Sequence, residues 1–311
     1  MLDIIRLIIP IFITILLGYL TVSFGLLNKD HFKAMGLFVI KVALPCMLIV
    51  SISSQDFTTL LQVPYLVSFG LASFVVFSIA LFIYFKLFKQ SLTHASVMAM
   101  GSSMSNTGFI GSGLLYLFLG EKAAIYFGMS FLLENFIVFL LFLICLEIGK
   151  SKTTFKNILK SGILSIIQNP IVIALFLGFV FSACDIVLPH ILIKVLQPIG
   201  QTAMPLGLLV IGGSLYGISI ASQSNLARDA MIISTLKLIL MPLLVYGLFF
   251  LFPSADAEMI FAGTLLASIS MVGIFAVFGQ QYEMQKVPAI LLICTLCSIL
   301  SLSTVIHFLH A

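Results

Sequence analysis

A run of polar and small residues interrupts one of the apolar stretches of this chain. It reads Ser102-Ser103-Met104-Ser105-Asn106-Thr107-Gly108-Phe109-Ile110-Gly111-Ser112-Gly113. Glycine weakens a helix by about 1 kcal/mol relative to alanine, so three glycines within six residues predict a broken helix. Broken backbone at membrane depth needs protein or a watery cavity around it, and half-helix N-termini present free N–H groups to anions. We expect an anion site at Asn106, Thr107, Gly108, Gly111 and Gly113; the alternative is a small-residue packing face.

A second segment of this kind follows 160 residues later, with a weaker signal. It reads Ala267-Ser268-Ile269-Ser270-Met271-Val272-Gly273-Ile274-Phe275. One glycine and two serines are compatible with a break near residues 270 to 273, and equally with a continuous helix. If the helix is broken, we expect Ser270, Met271, Val272 and Gly273 to complete a binding site between the two discontinuous helices.

Four polar side chains within apolar stretches are candidates for ion coupling or for a counter-charge. Glu134, beside Asn135, lies eleven residues into its stretch, which places it roughly 16 Å deep. A charge at a helix centre in the membrane costs at least about 2.5–3.5 kcal/mol, so it needs a partner or a cavity. We expect Glu134 to carry a coupling proton or help bind a cation, and Lys41 or Lys237 to balance an anionic substrate. The alternatives are a neutral or paired structural carboxyl and lysines that snorkel toward the cytoplasm.

The composition indicates that lipid surrounds most of these elements. Hydrophobic residues make up 61% of the 311 residues and charged residues only 8%, against about 25% charged in soluble domains. A membrane-spanning helix needs about 20 apolar residues, and we predict ten such spans. They are Ile4–Leu27, Ala34–Ile52, Pro64–Phe88, Ala95–Leu119, Ala123–Ile148, Pro170–Ile186, Ile199–Ile218, Met231–Leu251, Ala257–Phe278 and Pro288–His307. The net charge of +4 does not indicate nucleic-acid binding, because the basic residues lie in short gaps between apolar runs.

The distribution of Lys and Arg predicts the orientation of the chain in the membrane. Ten of the fifteen fall in the odd-numbered connections, three on the opposite side and two inside spans. The ten are Lys29, Lys33, Lys86, Lys89, Lys150, Lys152, Lys156, Lys160, Arg228 and Lys286; the three are Arg6, Lys122 and Lys194. The positive-inside rule places the ten in the cytoplasm. We therefore predict a multi-pass protein of the cell membrane with both termini on the extracytoplasmic side.

An internal repeat is visible when the chain is shifted by 160 residues. Pro10 then falls on Pro170, and Pro45 falls on Pro205. Each half holds five spans, an odd number, so the second half enters the membrane from the opposite side. Inverted repeats of this kind recur in transporters, which bind their substrate near the bilayer midplane.

The predicted fold is therefore an all-α integral membrane protein with ten transmembrane helices in two inverted five-helix repeats. The first repeat covers residues 1–150, a cytoplasmic basic loop covers 151–168, and the second repeat covers 169–311. Pro45 and Pro205 lie inside spans, where a proline kinks a helix and can act as a hinge or only shape the packing.

The sequence contains no pattern typical of an enzyme or a metal site. It has no phosphate-binding P-loop, no H-E-x-x-H and no G-x-S-x-G. Cys294 and Cys297 have C-x-x-C spacing, but they lie inside an apolar helix where packing is the expected role. We predict neither a metal nor an organic cofactor.

Several short motifs resemble the auxin efflux carrier family, in particular its bacterial malate and malonate permease branch. They are Leu44-Pro45, Asn106-Thr107-Gly108-Phe109-Ile110-Gly111, Asn169-Pro170 with Gly178, Met204-Pro205-Leu206 with Gly212 and Leu215, Lys237 through Pro242, and Gln281-Tyr282. The family usually has a proline shortly after Gly111, where this chain has Gly113, and another at the ninth-span break, where it has Ser270 to Val272. The resemblance implies ten spans with crossing fourth and ninth helices, a scaffold domain, a mobile transport domain and carriage of small organic anions.

The expected function is transport of a small carboxylate such as malate or malonate by alternating access. The coupling ion would be a proton or Na⁺, and the expected partners are the substrate, the lipid bilayer and a second copy in a homodimer, without nucleic acid. Three alternatives remain: a sodium-coupled symporter of the bile-acid type, a non-transporting membrane sensor or assembly subunit, and an intramembrane enzyme.

Overall fold

The computed structural model describes residues 2–54, 62–150, 168–184, 186–216 and 225–309. Within these ranges the chain forms twelve α-helices and no β-strand beyond one isolated bridge. The helices are α1 Leu2–Ser23, α2 Asp30–Ser53, α3 Val63–Leu87, α4 Leu92–Ser103, α5 Ser112–Leu119, α6 Ala123–Gly149, α7 Pro170–Ala183, α8 His190–Leu215, α9 Leu226–Phe249, α10 Ala257–Ala267, α11 Ile274–Gln281 and α12 Val287–Leu309.

Six of these helices are long and apolar enough to cross a membrane: α2, α3, α6, α8, α9 and α12. They confirm the all-helical, multi-pass membrane class that the composition predicts. The count of ten spans in two inverted repeats goes beyond these six helices and stays a prediction. Most of the predicted basic loop, residues 151–167, lies outside the described residues.

The polar run in the predicted fourth span interrupts a helix. Helix α4 ends at Ser103, Met104 is extended, and one turn of π-helix, Thr107–Gly111, leads into α5. Residues 268 to 273 likewise separate α10 from α11. The ninth predicted span is therefore interrupted and not a continuous helix.

The two interruptions lie against each other and satisfy each other's backbone. Ser105 and Met271 form an isolated antiparallel bridge. Its hydrogen bonds run from the N–H of Asn106 to the carbonyl of Ser270 at 2.9 Å, and from the N–H of Val272 to the carbonyl of Met104 at 3.3 Å. Backbone groups that lose their helical partners need such substitutes at membrane depth, because no water is available there.

The helices form two groups, and each group draws on both halves of the chain. In one group α1 packs on the second half of α8, and α7 packs on the second half of α2. The close approach of α1 to α8 depends on glycine, since a Cβ atom at Gly212 would collide with the carbonyl oxygen of Ile15. The other group contains α3 to α6 and α9 to α12, with α3 packed against α4 and α9.

Inside the second group, aromatic side chains fix α4, α6 and α11 around the interruptions. The rings of Phe142 and Phe278 meet edge to face with centroids 4.8 Å apart. A Cβ atom at Gly101 would lie 2.6 Å from the ring of Phe275, so α4 and α11 also pack closely. This packing holds the polar interruptions next to the inner face of α6.

Both prolines predicted as kinks lie beside departures from regular α-helix. Pro45 follows a π-helical turn, Val39–Ala43, inside α2. Pro205 comes three residues after Thr202, where the regular hydrogen bonding of α8 is interrupted. A proline cannot donate a backbone hydrogen bond, and a π turn beside it accommodates this loss. Whether these kinks act as hinges stays a prediction.

Candidate functional site

The carboxyl group of Glu134 is buried against the first interruption. Glu134 begins a π-helical turn, Glu134–Phe139, in the middle of α6, and the residue is 2% exposed. Its Oε1 accepts the backbone N–H of Ser105 at 2.7 Å, and its Oε2 accepts the hydroxyl of Thr107 at 2.8 Å. The carboxyl therefore takes hydrogen bonds from both sides of Asn106 and holds the polar run in place.

The second buried charge, Lys237, contacts both interruptions. It lies in a π-helical turn, Leu236–Leu240, of α9 and is fully buried. Its ammonium group donates to Oγ of Ser105 at 2.7 Å and to the carbonyl oxygen of Ala267 at 2.8 Å. Ala267 is the last residue of α10, so the cation lies at the negative end of that half-helix.

Glu134 and Lys237 thus share one intermediary, Ser105, through its N–H and its hydroxyl group. Taking a carboxylate and an ammonium out of water is costly, and the cost is recovered only with good geometry and further hydrogen bonds. Here each charge has two hydrogen bonds within the broken-helix region. Rare π turns mark both positions, as is frequent at functional sites.

A cavity of about 180 Å³ lies between the two helix groups, next to the interruptions. On one side it is lined by Met104, Ser105, Asn106, Gly108, Phe127, Phe131, Glu134, Asn135, Phe139, Val272, Gly273, Ile274 and Val277. On the other side it is lined by Val39, Leu44, Met47 and Ser51 of α2, and by Ala203, Met204, Gly207 and Leu208 of α8. Mostly apolar walls with a few convergent polar groups are typical of small-molecule sites.

Two half-helices begin at this cavity. The turn that leads into α5 starts after Asn106, and α11 starts after Gly273; neither N-terminus is capped by a side chain. The first N–H groups of a helix have no partner inside the helix, and they carry partial positive charge. Two such ends, together with the side chains of Asn106 and Asn135, can bind negative charge.

Asn106 has the most direct signature of a ligand-binding side chain in this region. It is buried and lines the cavity, and its Oδ1 atom has no hydrogen-bond partner among the residues that the structure describes. The hydroxyl of Ser270 is also buried without a partner, although Ser270 does not line the cavity. Buried polar atoms are nearly always hydrogen-bonded, so each exception needs an explanation such as a ligand or water.

The structure brings only some of the sequence-predicted site residues to the cavity. Asn106, Gly108, Val272, Gly273, Glu134 and Asn135 line it. Thr107, Gly111, Gly113, Ser270 and Met271 do not line it, and they lie in the segments that shape it. A Cβ atom at Gly111 would lie 2.6 Å from the side chain of Leu266, which indicates a packing role for this glycine.

The two intramembrane lysines have different surroundings. Lys237 is fully buried in the network described above, whereas Lys41 is exposed and does not line the cavity. Asn135 lines the cavity, and its amide nitrogen donates to the carbonyl oxygen of Phe131 at 2.7 Å.

Sequence reasoning missed most of the wall opposite the interruptions. The residues that α2 and α8 contribute are apolar or small, apart from Ser51, and they carry no chemical signal of their own. Ser105 was also missed as the link between the two charges. Ser105 stands next to Asn106 in the polar run, which was the available signal for a role at the site. Its link to the two charges was not visible, because Lys237, which donates to its hydroxyl, lies 132 residues away in the sequence.

Comparison with known proteins relates the chain to membrane transport proteins. The chain is 26% identical over 318 aligned positions, covering all of it and 97% of the relative, to a Rhizobium meliloti protein named "Putative malonate transporter". It is 25% identical over 217 positions, 66% of this chain and 67% of the relative, to an uncharacterized transporter of Methanocaldococcus jannaschii. The sequence profile described as "Membrane transport protein" matches residues 3–306. The chain therefore belongs to this membrane transport protein family, the family of the auxin efflux carriers that its motifs resemble.

Proposed function

We propose that this chain carries a small carboxylate such as malonate or malate across the cell membrane by alternating access. The observation that carries the proposal is the cavity at which two half-helix N-termini without side-chain caps meet the side chain of Asn106. A carboxylate would accept hydrogen bonds from Nδ2 of Asn106 and from the free N–H groups, and the dipoles would favour its charge. Oδ1 of Asn106 is an acceptor and would bind a water or a protonated carboxyl. The name of the Rhizobium meliloti relative supports malonate as the first substrate to test.

The size of the cavity is compatible with this substrate class. A water-sized group needs about 15 Å³ of cavity volume, so a cavity of about 180 Å³ holds roughly a dozen such groups. Malonate and malate have about seven to nine non-hydrogen atoms, so either fits, together with an ordered water. A bulky amphipathic substrate of the bile-acid type does not fit without rearrangement.

We propose that a proton on Glu134 couples to substrate movement. Glu134 lines the cavity and binds the first interruption through Ser105 and Thr107, so protonation would remove a negative charge that repels an anionic substrate beside this segment. The ammonium of Lys237 contacts the hydroxyl oxygen of Ser105 and the carbonyl oxygen of Ala267. A bound Na⁺ would use oxygen atoms of this kind, and here a lysine already occupies them. This arrangement favours a proton over Na⁺ as the coupling ion.

The proposed architecture consists of ten spans in two inverted repeats, with both termini on the extracytoplasmic side. It is supported by the odd number of predicted spans in each half, and by two helix groups that each draw on both halves of the chain. We propose that the group of α1, α2, α7 and α8 is the scaffold and that the group with the interruptions moves against it. A homodimer would leave this cavity complete within each copy, because its lining residues come from one chain.

The test is uptake of labelled malonate by purified protein in proteoliposomes, with a pH gradient, with a sodium gradient and with neither. Uptake that follows the pH gradient and falls in an Asn106→Ala variant supports the proposal. Uptake that requires sodium indicates the bile-acid type of coupling. Thermal stabilisation by malonate without any flux indicates a sensor and overturns the transport proposal.

A further inference from the structure

A stripe of polar residues runs along the first half of α8 toward the central cavity. His190, Lys194, Gln197 and Gln201 follow one another at spacings of four, three and four, which places them on one face of the helix. Ile191, Leu192 and Val195 are exposed large apolar residues on the remainder of the same segment. This half of α8 is therefore amphipathic, with one face suited to lipid and one suited to water or polar solutes.

The inner end of the stripe lies in a second cavity, of about 290 Å³, between α2 and α8. Gln197 and Gln201 line it from α8, and Ser51 lines it from α2. The two helices approach closely here, since a Cβ atom at Gly200 would lie 2.7 Å from the backbone nitrogen of Met47. Three amide or hydroxyl groups converge in a space large enough for a small dicarboxylate.

This second cavity adjoins the central one. Met47, Ser51 and Met204 line both cavities. Methionine side chains are flexible and adapt to irregular spaces, so Met47 and Met204 can move without a change in the backbone. A solute in the second cavity is therefore separated from Asn106 by movable side chains.

The charge on the stripe has the sign that an anionic solute requires. Lys194 is exposed, and in the part of the chain that the structure describes it forms no ion pair. Lys122, predicted on the same side of the membrane, is instead paired with Glu258 at 2.7 Å. A cation beside a cleft with low-dielectric walls raises the local concentration of anions and their rate of entry.

We propose that Lys194, Gln197 and Gln201, together with Ser51, form an entry subsite for the carboxylate substrate. The dianion is captured near Lys194, held by the two glutamine amides, and passed to the central cavity when Met47 and Met204 move aside. With the predicted orientation, this subsite opens to the extracytoplasmic side. The inference rests on the proposed function, and it adds a second place where the same substrate class binds.

The first test measures malonate uptake by proteoliposomes as a function of substrate concentration and ionic strength. We expect Lys194→Gln, and the double variant Gln197→Leu/Gln201→Leu, to raise KM roughly tenfold at low salt and to keep the maximal rate. The effect of Lys194→Gln should shrink at high salt, where charges are screened, and Lys194→Arg should behave as the wild type. The matched control is Lys33→Gln, which removes an exposed charge at the opposite predicted surface.

The second test detects occupancy of the subsite directly. Val50→Cys, at a residue that lines the second cavity without being one of the proposed ligands, is labelled with a membrane-impermeant thiol reagent in a background with Cys184 and Cys297 replaced by serine. Malonate should slow this labelling severalfold at concentrations near the KM for uptake. Unchanged KM in both stripe variants, an equal effect of Lys33→Gln, or labelling that malonate does not slow would each overturn the subsite. If the wild type transports malonate and Asn106→Ala impairs it, such a result leaves the proposed function intact.

Discussion

The ammonium nitrogen of Lys237 lies 2.7 Å from the hydroxyl oxygen of Ser105. The helix that carries Lys237, α9, begins more than a hundred residues after Ser105 in the chain. Through its backbone N–H the same serine binds Glu134. Ser105 also forms the bridge to Met271 in the second interruption. One small residue therefore connects two buried charges and two broken helices. We expect a substitution at either charge to change the structure of both interruptions.

Replacing Lys237 with methionine should destabilise the protein because Glu134 then loses its nearby positive charge. The substitution also removes the two hydrogen bonds that Lys237 donates to Ser105 and Ala267, and a buried polar group left without its partner typically costs about 1–3 kcal/mol in the free energy of unfolding. We expect a clear fall in the midpoint of thermal unfolding in detergent. The double variant Glu134→Gln/Lys237→Met should lose less than the sum of the two single variants. A strictly additive double variant would show that the two charges do not interact.

Glu134→Gln should abolish the dependence of malonate uptake on pH while malonate still binds. Glutamine keeps one oxygen that can accept from Ser105 or Thr107, so the site retains part of its shape. In the wild type, uptake should rise as the pH on the substrate side falls, because the proton moves with the substrate. The measurement is initial uptake at several pH values, with binding followed by thermal shift.

The control for this variant is Glu258→Gln, which removes a carboxylate that is paired with Lys122 away from the cavity. It should keep the pH dependence of uptake. Proton coupling that survives in Glu134→Gln would exclude Glu134 as the proton carrier and would direct the search to other titratable groups.

Asn106 should be more important for substrate affinity than for stability. Oδ1 of Asn106 has no hydrogen-bond partner in the described part of the chain, so Asn106→Ala should change the unfolding midpoint little. The loss of one hydrogen bond to a charged substrate should raise KM roughly tenfold or more. Asn106→Asp should be worse than alanine, because a carboxylate at this position repels the anion. If uptake by Asn106→Asp equals that of the wild type, the substrate carboxylate does not bind at this position.

The fold class and the first interruption could be predicted from the sequence because their signals are local. Three glycines and a polar run within the fourth stretch break a helix wherever the segment lies. The second interruption was ambiguous because it depends on tertiary structure. Its free backbone groups are satisfied by Met104 and Asn106, which lie more than 160 residues earlier.

The choice between the two intramembrane lysines could not be made from the sequence. Lys41 and Lys237 have similar predicted depths, and their own helices do not distinguish them. Packing of α9 against the interruptions buries Lys237, while Lys41 stays exposed on α2. The wall formed by α2 and α8 was missed for a related reason, since apolar residues that line a cavity look like those that face lipid.

Alanine substitutions at two neighbouring glycines should separate the packing of the site from its binding surface. A Cβ atom at Gly111 would lie 2.6 Å from the side chain of Leu266 and 3.3 Å from that of Ile269. Gly111→Ala should therefore lower the stability by about 1 kcal/mol, the lower end of the usual range for overpacking, because the terminal methyl group of Leu266 can move. A Cβ atom at Gly108 would meet none of the described residues within 4 Å, and Gly108 lines the cavity. Gly108→Ala should leave the unfolding midpoint unchanged and raise KM for malonate, because the added methyl group occupies space beside the half-helix N-terminus.

Thermal unfolding and uptake kinetics measured on both variants give the comparison. A Gly108→Ala variant with unaltered KM would mean that the substrate does not approach this end of α5, and the anion would then have to be held at α11 alone.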